Sequence, residues 1–113
     1  MQSGKSKICY SPEAIRDLDE IWAYLLDELQ NSDAAVSTVD GIVERIDQLR
    51  GFPQMGPALS SITEMESDYR FLVCGGYLAI YHVGDAAVFV DRILYARRDY
   101  LRVLLGDAAE TDL

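Results

Sequence analysis

The sequence predicts an α+β domain: an N-terminal strand and an antiparallel helical hairpin packed on an antiparallel sheet, in the order β-α-α-β-β-β, with a short C-terminal helix. Two observations carry this expectation. The runs Tyr69–Cys74, Tyr77–Val83 and Ala87–Tyr95 follow one another with Gly75-Gly76 and Gly84-Asp85 between them, and such pairs take positive φ without steric cost, as hairpin turns require. Upstream, two stretches repeat apolar residues at three- and four-residue steps, the period of a helix with one buried side. Helices segregated from a run of strands in this way form two layers around one core.

Lys7-Ile8-Cys9-Tyr10 reads as the first strand, ended by Ser11-Pro12. Ser11 suits an N-cap, Pro12 the first helical position, and Glu13 the positive helix end. In the helix that follows, Ile15, Leu18, Trp22, Leu25, Leu26 and Leu29 make one apolar stripe, while Asp17, Asp19, Glu20, Asp27 and Glu28 belong to a solvated, negative face. Asn31-Ser32-Asp33 breaks this helix and caps the next, whose stripe is Ala35, Val36, Val39, Ile42, Val43, Ile46 and Leu49. Gly51 is placed to stop it, and Phe52-Pro53 prevents continuation. Residues 51–68, with Pro53, Gly56, Pro57 and paired serines, predict an irregular loop long enough to be functional or mobile. The meander comes next, with Tyr69, Tyr77, Tyr81 and Tyr95 expected to wall the core and to hold their hydroxyls at its rim. The last helix is expected from about Asp99 to Leu105. The whole chain, 1–113, is expected to be a single domain with residues 1–6 and 107–113 flexible.

A chain of 113 residues, half of them hydrophobic, can bury a modest core without staples. Its 10 Lys and Arg stand against 19 Asp and Glu, a formal net charge of -9. Extended nucleic-acid binding draws on a basic field, so this composition argues against it. No apolar run is long enough for a bilayer, no signal-type segment leads the chain, and the expected location is the cytoplasm. Cys9 and Cys74 lie far apart, each in a predicted strand and in no metal-ligand spacing, and read as reduced core residues. No cofactor is expected.

Cationic residues concentrate after the last strand, in Ala96-Arg97-Arg98-Asp99-Tyr100-Leu101-Arg102. Guanidinium forks and an aromatic would project together there from a rigid element, which makes Arg97, Arg98, Tyr100 and Arg102 the candidate target-binding residues. The competing role for Arg97 and Arg98 is neutralisation of Asp99 and the acidic helices. His82 alternates with Leu78 and Ile80 along its strand and reads as a surface or hydrogen-bonded structural histidine rather than an acid/base catalyst. Arg70 is expected to pair with Glu64, Glu66, Asp68 or the helical hairpin, and Arg92 to pair locally beside Asp91.

Taken in order, Ser11-Pro12-Glu13-Ala14, Asp17-Leu18-Asp19-Glu20-Ile21-Trp22-Ala23-Tyr24, Leu49 before Pro53 and Gly56, Tyr69-Arg70, Tyr77 through Tyr81, and Arg92 through Asp99 resemble the RelE/ParE superfamily of bacterial type II toxin-antitoxin toxins. The likeness spans roughly residues 8–105 and is stronger to the ParE branch. It implies a small toxin silenced by a cognate antitoxin protein, seated in the groove between hairpin and sheet. RelE-like members cut messenger RNA on the ribosome and ParE-like members inhibit DNA gyrase. In the nuclease branch the second meander strand supplies an arginine where this chain has Leu78. An arginine and a tyrosine or histidine follow near the end, where Arg98 fits the first and Leu104 stands near the second. The resemblance therefore implies an inhibitor that binds gyrase as a protein target. Two alternatives stay open: a ribosome-dependent nuclease using Arg98 and His82, and a non-toxic member that still binds its antitoxin.

Overall fold

The computed structural model describes residues 6–62 and 67–96. Strand β1, Lys7–Tyr10, leads into α1, Pro12–Leu29, and α2, Ser32–Asp47; β2, Arg70–Cys74, β3, Tyr77–Val83, and β4, Ala87–Tyr95, complete the order. The expected helix at Asp99–Leu105 and the tail 107–113 lie outside the described residues, as do residues 1–5. Ser6 is held, its N–H donating to the Arg50 carbonyl at 2.9 Å.

The meander forms as expected, with β2–β3 and β3–β4 antiparallel. β1 adds what the pattern did not specify: it joins β4 in parallel, Lys7 opposite Ala87 and Tyr10 opposite Val90, which makes the sheet mixed with spatial order β1-β4-β3-β2. Gly75 takes a φ of 63° in the first turn, the left-handed conformation that favours glycine. The second turn differs from expectation. It runs over residues 84–86, and Gly84 has no left-handed backbone. Its requirement is room, because an added Cβ would stand 2.8 Å from the Phe89 ring.

Ser11 starts α1 as foreseen, accepting from Ala14 N at 2.9 Å, and the same hydroxyl donates to the Asp91 carbonyl at 2.8 Å. One side chain thus caps a helix and ties it to β4. Gln30, in the left-handed region at φ 49°, ends α1. Asn31 then caps α2 through Ala34 N. After Asp47 the chain tightens into a 3₁₀ turn, Gln48–Arg50, before Gly51.

The buried side of α1 is rotated from the predicted stripe. Ala14 and Asp17 are buried and Leu18 and Ile21 pack on the core, whereas Ile15 and Leu29 are each 51% exposed. Small Ala14 lets the first turn sit directly on the sheet, and this close approach sets the rotation. On α2, Ala35, Ile42, Ile46 and Leu49 are buried, while Val36 and Val43 face outwards. The main core lies between the hairpin and one sheet face, where Tyr81, Val88, Val90, Ile46 and Leu49 are fully buried. Burial of such side chains contributes about 1.5–3 kcal/mol each. Leu59, Phe71, Leu78, Ile80 and Leu94 form a second cluster on the other face.

The described part of the 51–68 loop is stitched to β2. Leu59 N donates to the Tyr69 carbonyl and Phe71 N to the Pro57 carbonyl, so the loop covers the β2 edge, where unpaired backbone would otherwise invite association. Gly56 lies beneath it, its N–H donating to the Tyr81 hydroxyl at 3.0 Å. Tyr81 therefore places its hydroxyl in the interior, contrary to the expected rim position. Tyr69 and Tyr95 are exposed and do not wall the core.

Candidate functional site

Arg97, Arg98, Tyr100 and Arg102 lie outside the described residues. The structure does describe the platform from which they depart. β4 reaches Tyr95, and Ala96 N donates to the Gly76 carbonyl at 2.9 Å, which fixes the exit beside the β2–β3 turn.

On the helix side of this exit, β1 has already ended. It pairs with β4 only as far as Val90, so beyond that point the β4 edge faces α1. Asp17 fills the gap. Its Oδ2 accepts from Ile93 N at 2.8 Å and from Arg92 Nε at 2.8 Å, and its Oδ1 accepts from Arg92 Nη2 at 3.0 Å. A carboxylate placed in this way satisfies a strand-edge donor and a guanidinium fork together. This corrects two expectations. Asp17 is a buried anchor, not part of the solvated face, and Arg92 reaches across the chain to α1. The signal for Asp17 was available in the periodicity, since it falls between Ala14 and Ile21 on the same helical side.

Next to this anchor a groove of ≈ 420 Å³ opens between α1 and the ends of β3 and β4. Ile21, Leu25 and Ile93 give it apolar surface, Tyr24, Tyr77 and Tyr95 its aromatic surface, and Asp17 and Glu20 its charge. The Tyr77 and Tyr95 rings are 5.6 Å apart. Burial raises the Tyr77 phenol above its ordinary pKa, with Tyr95 and Tyr24 adding to the effect. The Tyr77 phenol therefore stays protonated near neutrality as a hydrogen-bonding aromatic. Beyond the groove, α1 exposes Glu13, Asp19, Asp27 and Glu28 against one arginine, Arg16, which leaves the helix surface negative. The helical pattern predicts apolar surface on α1 but not the tyrosine grouping, because Tyr24 meets Tyr77 and Tyr95 only in the folded chain.

The opposite sheet face carries His82. Its Nδ1 lies 2.7 Å from Asp91 Oδ2, Phe89 stacks on the imidazole at 5.0 Å, and the Tyr69 ring meets it edge-on at 5.4 Å. This is the hydrogen-bonded structural histidine anticipated from the strand alternation. Asp91 can reach it because the β3–β4 register shifts between Ile80 and Tyr81, placing Asp91 at a bulge. Leu78 is buried in the second cluster, an apolar residue without proton-transfer capacity. Arg70 differs from expectation, since its Nη1 donates to the Gly56 and Gln54 carbonyls at 2.7 and 3.4 Å. Glu64 and Glu66, two of its expected partners, lie outside the described residues. Arg70 thus fastens the loop to β2.

Cys9 is partly buried and Cys74 buried, both as free thiols. Burial pushes the Cys74 pKa up to about 11 despite the opposing Arg45 charge, which keeps the thiol out of nucleophilic chemistry at neutral pH. Among the described residues no group of three His, Cys, Asp or Glu is placed to hold a metal ion, and no helix is long and apolar enough to cross a membrane.

The sequence model of the ParE toxin of the type II toxin-antitoxin system parDE matches residues 8–100. A structure of the chromosomal ParDE toxin-antitoxin system from P. aeruginosa superimposes with a TM-score of 0.71 at 21% identity, covering 84% of this chain and 100% of that one. YafQ from E. coli strain BL21(DE3) gives a TM-score of 0.46 at 15% identity over 90% of this chain and 100% of its own. No curated protein sequence matches the chain.

Proposed function

This chain belongs to the ParE toxin family of type II toxin-antitoxin systems, and from that premise we propose that it acts in the cytoplasm as a protein inhibitor of DNA gyrase, silenced by a cognate antitoxin. The observation that carries the choice of mechanism is Leu78, an apolar residue buried in the second cluster at the position matched to an arginine of the RNA-cutting relatives. Phosphodiester cleavage needs a proton acceptor, a proton donor and cations about the phosphorane. A buried leucine supplies none of these, and His82 is engaged by Asp91 and Phe89.

The acidic composition favours the same reading, because a protein with net charge -9 approaches a protein target more readily than ribosomal RNA. Arg97, Arg98, Tyr100 and Arg102 form the proposed gyrase contact, leaving the sheet at its fixed exit. The antitoxin is proposed to occupy the groove between α1 and β4, where aromatic surface stands open to solvent. Induced expression tests the target. Accumulation of gyrase–DNA cleavage complexes, lost on Arg97→Ala/Arg98→Ala with the fold retained, is the expected result. Transcript cutting confined to ribosomes would replace this mechanism with the nuclease alternative, and unimpaired growth would leave an antitoxin-binding protein without toxicity.

A further inference from the structure

The groove beside α1 gathers aromatic rings and carboxylates at one solvent-facing cleft. Tyr24 is 60% and Tyr95 45% exposed, and with the Tyr77 ring they border one cleft. The two carboxylates there are not equivalent. Asp17 is balanced by Arg92 and by the Ile93 N–H, whereas among the described residues Glu20 has no cationic partner.

Phenol rings grouped near a carboxylate that makes no ion pair among the described residues form a receptor for a cation on an apolar stem. Ring faces attract guanidinium or ammonium groups, Ile21 and Leu25 offer surface to the methylenes, and Glu20 supplies the counter-charge. The exposed acids elsewhere on α1, Glu13, Asp19, Asp27 and Glu28, would repel an acidic ligand and steer a basic one.

We propose that this groove takes an arginine or lysine side chain of the antitoxin, presented by an amphipathic segment that is basic where it crosses α1, with Glu20, Tyr24, Tyr77 and Tyr95 as the recognising groups. The inference rests on the antitoxin reading above and adds the chemistry of the partner. Because Arg97, Arg98 and Arg102 of the same chain follow Tyr95 closely, the test must separate an external cation from an internal one.

The full-length chain is titrated calorimetrically with the protein encoded by the adjoining reading frame, and its thermal unfolding is followed without partner. Glu20→Lys and Tyr24→Ala each weaken binding by about tenfold or more, and Glu20→Gln by less. Charge reversal of one antitoxin Arg or Lys to Glu restores affinity toward Glu20→Lys alone. Both residues are exposed, so the free variants unfold as the wild type does. Wild-type binding that persists within about twofold in both variants overturns the proposal and leaves the toxin-antitoxin reading standing. A wild-type chain that fails to bind the neighbouring product overturns both. Unchanged affinity with lowered thermal stability of free Glu20→Lys assigns the groove to the chain's own arginines and likewise overturns the proposal.

Discussion

Asp17 and Arg92, brought together from opposite ends of the chain, meet in a two-point contact at 2.8 and 3.0 Å while Asp17 also accepts the Ile93 N–H. Substituting Asp17→Ala should cost about 2–4 kcal/mol, because it strands a backbone donor and a guanidinium at once. The double variant Asp17→Ala/Arg92→Ala should lose less than the sum of the singles, leaving a coupling of about 1–3 kcal/mol in urea unfolding. Simple additivity would show that the pair does not act as a unit.

Two glycines should respond to alanine with opposite signs. At Gly56 an added Cβ would lie 2.2 Å from the Phe71 carbonyl oxygen and 2.8 Å from the Tyr81 hydroxyl, and the first of these is backbone that cannot step aside. Gly56→Ala should destabilise by about 3 kcal/mol or more. Gly41, inside α2 with open space around it, should gain about 0.5–1 kcal/mol on the same change. Thermal unfolding of the two variants side by side decides the matter, and equal shifts would contradict it.

Cys74 should limit stability at alkaline pH. An acid whose folded pKa exceeds its unfolded value keeps its proton in the native state while the unfolded chain loses it, so rising pH favours unfolding between the two values. For Cys74 that window runs from the ordinary 9.0 to about 11. Tyr81, raised by burial and partly lowered again by its Gly56 bond, acts in the same direction. Denaturation midpoints measured across the window should fall for the wild type and less steeply for Cys74→Ala. Native alkylation should modify Cys9 first, since Cys74 is buried.

Replacing His82 with Gln removes an imidazole held by Asp91 and Phe89. The expected cost is about 1 kcal/mol of stability, since the pair is partly exposed. On the proposed gyrase mechanism, growth arrest should be unchanged once expression levels are matched. Loss of toxicity at equal protein abundance would return His82 to a catalytic role.

Local patterns revealed the elements because each rests on residues close in sequence: Ser11-Pro12 starts α1, Asn31 caps α2, and Gly75-Gly76 turns β2 into β3. What they concealed depends on distant pairings. Nothing near Lys7–Tyr10 states that β1 will lie parallel to β4. Asp17 looks like any other acid on a charged helix until β4 offers it Ile93 N. The tyrosine groove stayed hidden for the same reason, with Tyr24 on α1 and its companions on β3 and β4. For Arg70 the nearby acids in the sequence suggest ion pairing, yet the loop turns the Gly56 and Gln54 carbonyls toward its guanidinium.

One extra residue in β4 changes the parity of everything after it. Val88 and Val90 share the hairpin side with Ile93, although two even-numbered positions and an odd one could not do so on an uninterrupted strand. Excising Asp91 would therefore restore plain alternation and keep Ile93 in the interior and Leu94 on the other face, whereas inserting one further residue there would exchange them. What the deletion would forfeit is the bulge's own work, the carboxylate that meets His82 and the carbonyl that receives the Ser11 hydroxyl.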